Sequence, residues 1–331
     1  MARNTLGFDA GSLKLVSPSQ SLASIKGIPG FTNGKKRSVA AGDIRAIFGY
    51  GQTGSYFSMT NLVSTTGVVA TDTTGVGTIR AGVGAAGYGT DKAIFGYGYN
   101  TSTPYSMTNL VSSAGVVATD TTGVGTARWV VGAAGYGTDK AIFGYGYNGT
   151  TSLSITNLVS NTGVVAIDTT GVGTIRFSLA AAGYGTDKAL FGYGYNSVAN
   201  QYLSITNLVS NTGVVSTDTT GVGTVRLGLG AARYGTDKAI FGYGGSVSGY
   251  YSMTNLVSNT GVVSTDTTGV GTIREYVAAA KYGADKAIFG YGQTTSYFST
   301  TNLVSNTGDV ATDTTGVGTA RYALGATSYG S

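Results

Sequence analysis

The chain has 331 residues, 11% of them charged and 41% hydrophobic, with 55 glycines, 3 prolines, no cysteine and no histidine. These figures exclude a disulfide framework, a zinc or copper site of thiolates or imidazoles, and a histidine general base, while leaving enough apolar content for a core. The formal charge of +5 arises before residue 46: Arg3, Lys14, Lys26, Lys35, Lys36, Arg37 and Arg45 stand against Asp9 and Asp43, and the remaining 13 bases and 13 acids cancel.

Residues 1–35 carry serine, glycine, two of the three prolines (Pro18 and Pro29) and only short apolar clusters. Such composition buries little surface, so a solvated basic arm is expected. Lys14, Lys26, Lys35, Lys36 and Arg37 are its candidate anchoring residues, for a partner protein. The cluster Lys35-Lys36-Arg37 is too short to point to nucleic acid. The N-terminus has Asp9 and glycines where an export signal needs an apolar run, and no stretch approaches the length of a membrane span. The expectation is synthesis in the cytoplasm without a classical export signal and without membrane insertion.

Residues 36–331 are a repeat array. Ala-Ile-Phe-Gly-Tyr-Gly begins at Ala46 and recurs at Ala93, Ala141, Ala239 and Ala287, with a Leu190 variant at Ala189. Each copy is followed by Thr-Asn-Leu-Val-Ser, a Val-Val or Asp-Val pair, Thr-Thr-Gly-Val-Gly-Thr and an arginine. A period of about 48 residues, six times over, marks a repeat architecture. Within the second copy, Thr78 to Ala86, Lys92 to Tyr97, Tyr105 to Ser112 and Val116 to Asp120 are runs bounded by Gly, Asn, Asp or Ser, which reads as four strands. Glycine is too frequent for helix. Ala93-Ile94-Phe95 and Val116-Val117 do not alternate with polar residues, as expected of sheets covered on both faces. The prediction is an all-β protein: one six-bladed β-propeller with four antiparallel strands per blade. Segments rich in small residues, such as Ala81 to Ala86, suit the crowded axis. The arginine-plus-small segment occurs seven times against six Gly-Tyr-Gly strands, so one terminal copy is surplus. The C-terminal one, Arg321 to Ala326, is expected to complete the blade begun by Ala46.

The order Arg128, Ala133-Ala134, Ala141-Ile142-Phe143-Gly144-Tyr145-Gly146 resembles kelch-type propeller repeats, with Gly-Tyr-Gly in place of the Gly pair and Trp129 outside the family's usual position. The near-identical units and non-repeating leader are also similar to propeller proteins among tailed-phage virion components, such as tail or head fibres. These resemblances imply a non-enzymatic structural or adhesive role on a phage particle, or alternatively a cytoplasmic interaction scaffold of kelch type.

Reactive chemistry is sparse. Glu275 is the single glutamate, and acids such as Asp91 and Asp120 recur at turn-like positions rather than forming a unique carboxylate pair. Gly87-Tyr88-Gly89-Thr90-Asp91 has half the form of a calcium nonapeptide but lacks the tandem stacking, so no metal and no cofactor are expected. Arg80, Arg128, Arg176, Arg226, Arg274 and Arg321 are expected either in a buried network to backbone carbonyls or, less simply, as an anion-binding ring. The loop after Gly-Tyr-Gly varies most between copies and is rich in Tyr, Asn, Ser, Thr and Gly. Such mixtures make adaptable recognition surfaces. The candidate ligand residues are Tyr56, Asn100, Tyr105, Asn148, Asn196, Tyr202, Tyr250, Tyr251 and Tyr297, for a cell-surface glycan.

Overall fold

The computed structural model describes residues 44–330; the expected basic arm, with Lys14, Lys26, Lys35, Lys36 and Arg37, lies outside the described residues. Among the described residues every regular element is a β-strand. The second repeat shows the unit. Gly84–Tyr88 turns through Thr90 into Lys92–Gly96, which pairs antiparallel on its other side with Thr108–Val111. Ala86 faces Ile94 and Ile94 faces Leu110 in the register. Ala93, Ile94 and Phe95 have no accessible surface, so the central strand is covered on both faces, which its unbroken apolar run requires.

Six such three-stranded sheets follow one another. Their first strands are Gly84–Tyr88, Gly132–Tyr136, Ala180–Tyr184, Gly230–Tyr234, Ala278–Tyr282 and Gly325–Tyr329. Four strands per unit were expected and three form. The fourth run makes only two isolated bridges to the third strand, Val111 to Val117 and Thr108 to Thr121. Between them the Asn109 side chain donates to Ala118 O at 3.0 Å and to Asp120 Oδ1 at 2.9 Å. A side-chain amide thus occupies the edge where a longer ladder would run.

The sheets are held face to face by six separate apolar clusters, one between each neighbouring pair. A phenylalanine from each second strand covers a glycine of the sheet before it. A Cβ placed on Gly49 would lie 2.8 Å from the Phe95 ring, and the same holds at 2.8 Å for Gly96 and Phe143. The series returns to its start, because a Cβ on Gly290 would lie 2.9 Å from Phe48. First strands likewise touch their neighbours in sequence, and Gly325–Tyr329 touches both Ala278–Tyr282 and Gly84–Tyr88.

Gly325–Tyr329 therefore stands where the first sheet lacks a strand, pairing antiparallel with Arg45–Gly49 from Arg45 opposite Tyr329 to Gly49 opposite Gly325. Leu324 also joins the cluster that contains Ala46, Phe48 and Tyr291. Deleting residues 319–331 strips a strand and part of two apolar clusters from this joint. The melting temperature should fall by about 10 °C or more, since about 1 kcal/mol corresponds to a few degrees at this size. An unchanged thermal melt would show that the C-terminal strand does not hold the first sheet.

Candidate functional site

The rim is set by two residues per repeat: the one after the repeated arginine and the one after Gly-Tyr-Gly. They face each other as isolated antiparallel bridges, among them Ala81 with Tyr99, Trp129 with Tyr147, Phe177 with Tyr195 and Glu275 with Gln293. Their side chains form a nearly continuous arc. Ring centroids run Tyr56 to Tyr99 at 5.5 Å, Tyr99 to Trp129 and Trp129 to Tyr147 at 5.1 Å, then Tyr147 to Phe177 at 5.1 Å. Phe177 to Tyr195 at 5.6 Å and Tyr195 to Tyr202 at 4.9 Å continue it. Gln52 donates from Nε2 to the hydroxyls of Tyr99 and Tyr322, joining the arc to Tyr322, on which Tyr297 stacks at 5.6 Å.

The arc breaks at Leu227 and Gly245. There Glu275 supplies a carboxylate, so close that a Cβ on Gly245 would meet its Oε2 at 2.6 Å. Burial raises the Glu275 pKa, and the hydrogen bond from Gln293 offsets this only in part. The Glu275 charge is also felt at Tyr202, Tyr276 and Tyr322, whose phenols are already pushed up by burial. The break is thus a half-buried acid and an amide between aromatic faces. Among the described residues no three acids come together as a metal site would need.

Of the loop residues singled out in the sequence, Tyr56, Tyr202 and Tyr297 belong to this arc. Tyr250 sits beside it in the short ladder of Gly245–Ser246 with Gly249–Tyr250. The others have hydrogen bonds within their own loops or to the neighbouring strand. Asn148 Oδ1 accepts from Thr150 and Thr151 N–H at 2.9 Å, and Asn196 Oδ1 accepts from Val198 and Ala199, so both carbonyls shape turns. Asn100 donates to Ile79 O at 3.2 Å. Tyr105 and Tyr251 accept at their backbone carbonyls from Arg128 and Arg274, a place that Leu153 fills in the third repeat. Trp129, Phe177, Glu275 and Tyr322 were not singled out in the sequence, although the position after the arginine differs in every repeat.

The arginine fixes both rim residues. Arg80 is fully buried; its Nε donates to Tyr97 O at 2.8 Å, its Nη1 to Thr78 O at 3.0 Å and its Nη2 to Asn109 Oδ1 at 2.6 Å. Its guanidinium also lies 4.3 Å over the Tyr50 ring of the preceding sheet. Tyr97 has φ 64, which takes it out of the ladder and turns its carbonyl to the arginine. All six arginines repeat this arrangement, so the network to backbone carbonyls forms and their donors are spent on the protein. Charge is balanced by Asp120, 3.7 Å from Arg80 Nη1. That acid lies forty residues after the arginine; the one eight residues before, Asp72, serves Arg321 instead. Gly77, with φ 76, passes over the pair so closely that a Cβ would meet Asp120 Oδ1 at 2.3 Å.

No protein-family model matches the chain, and no relative is found among curated proteins. The repeated aspartates give a testable pH dependence. Burial alone would raise the Asp120 pKa, but hydrogen bonds from Thr78 and Asn109, with the Arg80 charge, outweigh it and hold the carboxyl below its ordinary value. The other five behave alike. A depressed folded-state pKa contributes stability that is full above the unfolded value, about 3.9, and is lost as pH falls through the folded one. Denaturant midpoints should therefore drop steeply below about pH 4, and Asp120→Asn should flatten that drop while lowering the midpoint at pH 7. A midpoint unchanged between pH 5 and pH 2.5 would contradict the assignment.

Proposed function

We propose that residues 44–330 form a six-bladed β-propeller whose aromatic rim contacts glycans, and that the protein is a non-enzymatic structural or adhesive component of a tailed-phage particle. The observation that carries the reading is the arc from Tyr56 through Trp129 to Tyr202, interrupted by Glu275 and Gln293. Flat aromatic faces stack on the C–H faces of sugars, and the carboxylate and amides answer their hydroxyls. Each contact is shallow, so affinity has to come from several engaging together. The cyclic return of the Gly–Phe contacts supports the propeller. The particle setting rests on the resemblance of the units and leader to virion propellers, with the basic arm as the attachment to other virion proteins.

The test is binding of the full chain to a glycan array and to bacterial envelopes, with Trp129→Ala and Tyr322→Ala as variants. Alanine already stands at the equivalent place in the second repeat, Ala81, so the frame tolerates it. Binding should fall about tenfold or more for the double variant while its melting temperature stays within a few degrees. Absence of any glycan binding, or full binding by the double variant, would refute the rim as a glycan surface.

A further inference from the structure

At the end of the first strands away from the rim, a second position departs from the repeat. Six residues beyond each rim residue, the six sheets carry Gly87, Gly135, Gly183, Arg233, Lys281 and Ser328. These positions form one layer: a Cβ on Gly135 would lie 3.2 Å from Gly87 O, one on Gly183 3.3 Å from Gly135 O, and one on Gly87 3.4 Å from Ser328 O. The layer lines a cavity of about 280 Å³ between the first strands. Three sheets leave it open with glycine, and the others fill part of it with a guanidinium, an ammonium and a hydroxyl.

The two cations differ from ten of the other basic residues of the described chain, which are ion-paired. Lys92, Lys140, Lys238 and Lys286 each pair with the aspartate preceding them, and the six buried arginines each have an aspartate. Among the described residues neither Arg233 nor Lys281 forms an ion pair. Arg233 commits Nη2 to the carbonyls of Gly185 and Thr236, while its Nε is buried with no hydrogen-bond partner. A guanidinium has five N–H donors, so most of this one's capacity is unspent. Among the described residues the cavity wall holds Lys92, Lys140, Lys188, Arg233 and Lys281 against one carboxylate, Asp187, which already accepts from Asn211 at 3.0 Å. Asp237 and Asp285 lie near enough to act on Arg233 and Lys281, but each is paired with its own lysine.

We propose that this cavity binds one tetrahedral oxyanion, a phosphate or sulfate group, between Arg233, Lys281 and the Ser328 hydroxyl. An unpaired buried donor and two adjacent cations carry a desolvation cost that such an anion relieves. Burial also lowers the pKa of both residues, and that of Lys281 further through the Arg233 charge. Donors arriving from a planar fork, an ammonium and a hydroxyl on different strands match oxygens spread over a tetrahedron better than a flat carboxylate. The volume admits the group with several waters, at about 30 Å³ each.

The experiment is isothermal titration of the full chain with sodium phosphate, sodium sulfate and sodium acetate, each at one fixed ionic strength made up with chloride. Saturable binding of phosphate or sulfate at one site per chain is expected, with acetate at least tenfold weaker; the preferred anion distinguishes the two sources. Arg233→Gly and Lys281→Gly install the residue that three other sheets carry, and each should weaken binding about tenfold or more. Should the glycine variants fold poorly, Arg233→Lys, which keeps charge and loses the fork, gives the same reading. No saturable binding, acetate bound as tightly, or variants that bind like the parent would overturn the site. Rim binding of glycans is measured separately and is unaffected by either outcome.

Discussion

Each repeat is built around one buried guanidinium. Three of its edges are met by a strand carbonyl, a preceding carbonyl and an asparagine, and its face rests on a tyrosine of the sheet before. Because the residues immediately beyond the arginine and beyond Gly-Tyr-Gly form the rim, the clamp fixes the direction of the variable side chains. Breaking such a network leaves a buried charge unpaired, at a cost of about 3–5 kcal/mol, which explains why it recurs unaltered in all six copies.

The structure has no single core. Its apolar surface is divided among six interfaces, each made by the same glycine, phenylalanine and tyrosine, so any joint resembles any other. Stability of this kind is a sum over neighbours. Variation is then free at the two ends of the first strands. One end carries the aromatic arc with Glu275 at its break; the other carries glycine in three sheets and Arg233 and Lys281 in two.

Much of the frame was legible in the sequence. The period, the strand content, the small first strands and the strand by which Gly325–Tyr329 completes the first sheet all follow from turn signals and copy number. Contacts over long separations were not legible. Nothing local says that Asp72 serves Arg321 rather than the arginine eight residues ahead, or that Asn109 takes the edge expected of a fourth strand. Composition pointed to the loops that carry Tyr56, Tyr202 and Tyr297, which join the aromatic arc. It did not show that the side-chain carbonyls of Asn148 and Asn196 are used by turns. It passed over Trp129 and Glu275, which sit in a segment that looks structural until the bridges align it with the loop start.

The terminal joint is built like an internal one. Arg128 and Arg321 have the same partners, but those of Arg321 lie 260 and 271 residues away, at Asn61 and Tyr50. Chemical denaturation of Arg128→Lys and Arg321→Lys compares them directly, since lysine keeps the charge and loses the planar fork. Equal losses of stability are expected, within about 0.5 kcal/mol. A clear loss for Arg128→Lys with none for Arg321→Lys would contradict it.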